Sequence, residues 1–200
     1  MTSLNNRLSY KIKNHFKNSS NVIKELNKFE KEIMLFANKI SNTRNKNKVL
    51  VGGNGGSCAD ADHFTGELQC TFKDRKRKPI SAISLNNSFP AITAWCNDFS
   101  FDTYFLRQIE AHGRKGDVLV LLSTGGGDIK SGASINMISA AKLALKKKMY
   151  VISLVGKTGG ALKKISSLCI HVKSNNTAYI QEAHMSILHC VADILEDLIN

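Results

Sequence analysis

The sequence predicts an α/β fold in three layers, with a central parallel sheet of about five strands, helices on both faces and further helices at the N-terminus. Three observations carry that prediction. Short, wholly apolar runs alternate with longer stretches whose apolar residues recur at three- and four-residue steps. The runs do not alternate polar with apolar, so they suit strands buried on both faces. Two of them, KVLVGG from Lys48 and DVLVLLST from Asp117, empty directly into polar glycine loops followed by helical patterns. In parallel sheets such loops lie beyond the carboxyl ends of the strands, where ligands bind.

Residues 1–45 read as helical, with Val22, Ile23, Leu26, Phe29, Ile33, Phe36, Ala37 and Ile40 at helical spacing. Ser20 and Asn21 read as caps that open a second helix there. This segment precedes the first strand, so its apolar stripe can cover another subunit as readily as its own sheet. Val49–Val51 is the first strand, Gly52–Ser57 its loop, and a helix starts at Cys58 with Ser57 as N-cap and Asp60 in its first turn. Ile80–Leu85 is the second strand, with Asn86, Asn87 and Ser88 after it. Pro90–Trp95 begins a helix or turn, Asn97 and Asp98 signal a loop, and Asp102–His112 is a helix closed by Gly113. Asp117–Leu122 is the clearest buried strand, and its loop leads to a helix ending near Lys147. Tyr150–Val155 is the next strand, Gly156–Gly160 its loop, and a short helix starts at Ala161. Cys169–Val172 is a last strand before a long helix over Ala178–Leu198.

Two hundred residues suffice for one domain with a sizeable core. No run approaches the roughly 20 apolar residues of a membrane span, and the N-terminus lacks a secretory signal, so a soluble cytoplasmic protein is expected. Five unclustered cysteines, Cys58, Cys70, Cys96, Cys169 and Cys190, sit among apolar neighbours and read as reduced, mostly buried thiols. The net charge of +12 is scattered rather than striped, with modest clusters at Lys73–Lys78 and Lys146–Lys148. It argues for an anionic small molecule and against nucleic acid or a membrane as partner.

The chemistry-bearing residues fall in two places. A strand, a glycine loop and a helix start together favour an anion, because free N–H groups and the positive dipole end face one point. One turn further, His63 and Glu67 at i and i+4 share a helix face. The spacing fits neither the dinucleotide G-x-G-x-x-G pattern nor a P-loop. In the C-terminal helix, IQEAHMSILHC, Gln181, His184 and His189 are candidate ligands or acid/base groups, and Gln181 and His189 share a face. Taken alone, His189 reads more readily as a core histidine, surrounded by Ile187, Leu188, Cys190 and Val191.

GGNGGSCADADHFTGEL, AWCNDFSFD, GDVLVLLST with SGAS, and NNTAYIQEAHMSILH together resemble the phosphoheptose isomerases of the SIS (sugar isomerase) fold, across roughly residues 20–198. That resemblance implies a three-layer SIS domain over 46–200, with the helical segment 1–45 used in oligomerisation. It implies a homotetramer with active sites at subunit interfaces. The activity implied is conversion of sedoheptulose 7-phosphate to D-glycero-D-manno-heptose 7-phosphate through an enediol, feeding activated heptose for lipopolysaccharide or capsule. Glu67 then stands as catalytic base and His189 as the second catalytic group. His63, Glu67, Gln181 and His189 are the implied ligands of one Zn²⁺ per subunit. Asn54, Gly55, Gly56, Ser57, Asn97, Asp98, Ser123, Thr124, Ser131, Ser134 and Gln181 are the implied substrate contacts. The chain departs from the family in three places: Gly125–Lys130 interrupts the phosphate loop, and Thr71 and Tyr179 stand where the family has arginines. A non-catalytic SIS adaptor, resembling the replication-initiator-associating proteins, and an isomerase of another sugar phosphate are the competing readings. Retention of Glu67 with His189 speaks against the adaptor.

Overall fold

The computed structural model describes residues 2–44 and 46–199. Its centre is a five-stranded sheet in the order β2-β1-β3-β4-β5, every neighbouring pair parallel. The strands are β1 Val49–Gly53, β2 Ala82–Ser84, β3 Val118–Ser123, β4 Tyr150–Val155 and β5 Leu168–His171. The helices are α1 Thr2–Lys24, α2 Glu30–Ser41, α3 Gly56–Gln69, α4 Phe89–Asp98, α5 Phe101–His112, α6 Ile135–Lys146, α7 Leu162–Ile165 and α8 Thr177–Ile199.

The layers follow from side-chain alternation along strands that are apolar at both phases. Val49, Val51, Val120, Leu122 and Leu154 face α2, α3 and α8, where Phe36, Phe64 and Leu188 meet them. Leu50, Leu119, Leu121 and Val151 face α5 and α6, against Tyr104, Phe105 and Ala141. Phe36 and Phe105 are fully buried, so truncating either to Ala costs about 3–5 kcal/mol. At the amino end of the sheet, Asp117 takes Lys48 Nζ at 2.7 Å and the backbone N–H groups of Lys48 and Arg114. Burial alone pushes its carboxyl up, but Lys48 and these N–H groups outweigh that and hold it below the ordinary carboxylate range.

Several expectations are corrected. The break in the N-terminal helices is a 3-10 turn at Glu25–Phe29, not a cap at Ser20 and Asn21. Those two residues sit exposed inside α1, and the tighter turn is what drives Leu26 into the core. Gly55, not Ser57, caps α3, because a positive φ of 58° there turns the chain and brings Ser57 into the first helical turn. Asn97 and Asp98 form the last turn of α4 rather than a loop; Ser88 Oγ caps the other end of that helix by accepting from Ala91 N–H. The cysteines are free, as expected, but none is buried, and Cys70 and Cys190 are exposed. Among the described residues no helix is long and apolar enough to cross a membrane.

Candidate active site

β1 and β3 are adjacent, with Gly53 opposite Leu122, so the loops that follow them emerge side by side. In the first loop the Ser57 and Cys58 N–H groups bond back to Asn54 and Gly55 carbonyls, which leaves Gly55 and Gly56 exposed at the tip. The Gln181 amide lies over Gly56, where a side chain would displace it, so the end of this α8 side chain rests against the start of α3. The loop is steadied from both sides. Asn86 brackets Gly53, accepting from its N–H at 3.3 Å and donating to its carbonyl at 3.0 Å. Asn54 and the buried Asn136 of α6 exchange amide hydrogen bonds of 3.1 and 2.9 Å.

One turn along α3, His63 Nε2 lies 3.2 Å from Glu67 Oε1 and 3.1 Å from His189 Nε2. The two imidazoles are tilted by 70° with centroids 5.2 Å apart. Three polar side chains from opposite ends of the chain therefore form one contiguous group, with His63 in the middle. Glu67 is the better shielded, its side chain 19 % exposed against 45 % for His63. An open cavity of about 550 Å³ beside them is lined by Ser19, Asp60, Gln181, Glu182 and His189. Helix α1 closes its rim: the Ser19 hydroxyl donates to Glu182, and His15 Nε2 lies 3.4 Å from the same carboxylate.

Asp60 has a buried Oδ2 without a hydrogen-bond partner. Burial raises its pKa, with the nearby His63 opposing. Its i, i+3 spacing to His63 was the available sequence signal; the helix-dipole account of a first-turn acid obscured it. His184, a sequence candidate, is turned away from the cavity into the core and fully buried. Neither of its ring nitrogens has a hydrogen-bond partner, and burial pushes its pKa down to about 4, the nearby Val155 backbone opposing.

The second loop spends more on itself. Ser123 is buried and its Oγ accepts from Gly126 N–H at 3.0 Å; Thr124 is half-buried. The Gly126 and Gly127 carbonyls accept at 2.9 Å from Leu162 and Ala161 N–H respectively, so this segment caps the start of α7. Gly126 has a φ of 73°, and a side chain there would strike the Gly159 carbonyl. Asp128 N–H donates to the Ala133 carbonyl at 2.8 Å while its carboxylate accepts Lys130 N–H at 2.9 Å. Residues 125–130 thus form a closed excursion with Asp128 exposed on it and Ser131 exposed just after it. Ser134 opens α6 in a left-handed conformation (φ 54°), with its hydroxyl not engaged in capping. Asn97 and Asp98 are exposed at the end of α4 and bond to each other at 2.8 Å, without a hydrogen bond to another candidate residue. Tyr179 packs edge-on against His15, centroids 5.2 Å apart, and Thr71 is half-buried beyond α3.

As placed, no three His, Cys, Asp or Glu side chains among the described residues form a group that could hold a metal ion. The donor chemistry nonetheless suits zinc: two imidazoles, a carboxylate and the Gln181 amide. Ligand atoms on tetrahedral zinc stand about 3.3 Å apart, close to the 3.1 and 3.2 Å that separate His63 from His189 and from Glu67.

Residues 14–156 match the SIS domain family. A phosphoheptose isomerase of Citrifermentans bemidjiense is 45% identical over 150 residues, spanning 75% of this chain and 74% of that protein. The solved structure of a phosphoheptose isomerase from Francisella tularensis superposes with a TM-score of 0.86 at 35% identity, covering 98% of this chain and 100% of that one. The corresponding structure from Neisseria gonorrhoeae gives 0.85 at 33% identity, covering 95% and 99%.

Proposed function

The chain belongs to the SIS domain family and, within it, to the phosphoheptose isomerases, and from that premise we propose that it converts sedoheptulose 7-phosphate to D-glycero-D-manno-heptose 7-phosphate. The observation that carries this reading is the contact of Glu67 and His189 through His63 beside a cavity that opens next to the α3 start. A ketose–aldose conversion moves one proton from C1 to C2 and one from the C1 hydroxyl to the C2 oxygen, through an enediol. Glu67 takes the C1 proton and returns it at C2, a task for a carboxylate largely withdrawn from water. His189 carries the hydroxyl proton between the two oxygens, and His63, in contact with Glu67 and His189, sets the orientation of each. The exposed Gly55–Gly56 tip and the Ser134 hydroxyl hold the phosphate, whose binding fixes the sugar for reaction. Asn54 and Gln181 contact sugar hydroxyls, with Ser57, Ser123, Thr124, Ser131, Asn97 and Asp98 completing the substrate contacts.

His63, Glu67, Gln181 and His189 would hold Zn²⁺. When bound, the ion supplies Lewis acidity at the two reacting oxygens. Four subunits assemble with 1–45 at their contacts, and the product serves heptose activation for lipopolysaccharide or capsule. Purified protein incubated with sedoheptulose 7-phosphate, with zinc or with chelator, tests the assignment: the aldose is formed and chelation slows it. Turnover confined to another phosphosugar would overturn the substrate, and metal analysis of the purified protein checks the ion separately.

A further inference from the structure

The segment after α3 is pinned from two sides. Glu196, buried near the end of α8, receives three backbone N–H groups on a single carboxylate oxygen, from Phe72 at 3.0 Å, Lys73 at 2.7 Å and Asp74 at 2.9 Å. Arg77, 4 % exposed, donates to the carbonyls of Glu67, Leu68 and Cys70, the last turn of α3. Buried charges are costly unless they are fully bonded, and both of these are bonded to backbone. The path of 70–77 is therefore set by α3 and α8 together.

What that path delivers is Phe72. Its ring lies nearly parallel to the His189 imidazole, 24° apart with centroids at 5.6 Å. Glu196 lies seven residues beyond His189, two turns along the same face of α8. One helix face thus carries both the imidazole and the carboxylate that holds the aromatic ring against it. His189 is met edge-on by His63 and flat-on by Phe72. With both contacts in place, rotation of the imidazole about its Cβ–Cγ bond requires displacing a neighbour.

We propose that Phe72 is a positioning residue: anchored by Glu196 through the backbone of 72–74, it fixes the plane of the His189 imidazole so that Nε2 stays directed at His63. The kinetic part of this inference rests on the isomerase reading; the structural part does not. A loop that merely stabilised the fold would change unfolding when altered, and leave turnover and the imidazole alone.

The test uses full-length protein with ¹³C-labelled histidine, the His189 ring signals being assigned by their loss in His189→Gln. Phe72→Leu keeps the apolar volume and removes the flat ring. It should move the His189 ring C–H signals downfield, away from their ring-current position, and lower kcat about tenfold, with KM within twofold. Phe72→Tyr should restore both, and Glu196→Gln should shift both in the direction of Phe72→Leu. If Glu196→Gln fails to fold, the two Phe72 variants decide alone. Unmoved His189 signals in Phe72→Leu, or a kcat within twofold of wild type, would overturn the proposal while leaving the function standing. Wild-type protein inactive on sedoheptulose 7-phosphate would overturn the function, and the ring signals would still decide whether Phe72 orients His189.

Discussion

The proposed site has two halves built on opposite plans. The chemical half, His63, Glu67, Gln181 and His189, stands on the long helices α3 and α8 and makes its polar contacts between side chains. The anchoring half, the loop between β3 and α6, makes most of its polar contacts with its own backbone and with α7. The difference teaches where each kind of damage should appear. On the proposed roles, a lesion at Glu67 or His189 leaves the fold and the ligand's grip intact and removes a proton-transfer group. A lesion in the loop disturbs a framework of carbonyls and glycines, and is felt as weaker binding.

The sharpest division comes from Glu67→Gln, which keeps shape and removes basicity. Turnover of sedoheptulose 7-phosphate should fall about 10³-fold or more, with KM and the thermal midpoint nearly unchanged. A large rise in KM instead would dissolve the distinction. Next in size is acid sensitivity of the helical half through His184. Its folded pKa of about 4 lies below the ordinary histidine value, so the unfolded chain takes up a proton that the native chain refuses. Stability from this residue is complete above about pH 6.5 and is lost as pH falls toward about 4, on the order of 3 kcal/mol in all. Chemical denaturation at pH 7 and pH 4.5 should show the loss in wild type and a flatter response in His184→Leu.

A smaller effect is expected in the anchoring half. Gly126→Ala places a methyl against the Gly159 carbonyl at a backbone angle that favours glycine. It should cost about 1–3 kcal/mol of stability and raise KM more than it lowers kcat. Smallest is Ser134→Ala, which removes one uncommitted hydroxyl. KM should rise by about fivefold, near 1 kcal/mol, with kcat held. A kcat-only effect from either loop variant would break the comparison.

The sequence is a good guide where the signal is local. The strands β1, β3 and β4 are short, largely apolar runs that lead into glycine loops; β1 and β4 start at the expected residue and β3 one residue later. Helix caps were less legible, because Ser20, Asn21 and Ser57 have the right chemistry in places where tertiary packing selects another break. In the site, the facing of His63 with Glu67 follows from spacing, whereas the 3.1 Å approach of His189 depends on how α8 crosses α3. The contact of the Gln181 amide with Gly56 likewise shows only once the two helices are seen together. Glu196 and Arg77 were not legible at all as anchors. Each looks like an ordinary surface charge in the sequence, and only the backbone groups that gather on them show otherwise.

The paired amides of Asn54 and Asn136 carry a consequence for recognition. A carboxamide offers two N–H donors and two lone pairs, and this mutual exchange consumes one of each per residue. Asn54 is left with one hydrogen and one lone pair whose directions are already fixed. On the sugar contact proposed above, a hydroxyl group that gives and receives at the matching angles would dock without freezing a rotor, whereas an epimer with that hydroxyl reversed would find the amide already clamped facing the other way.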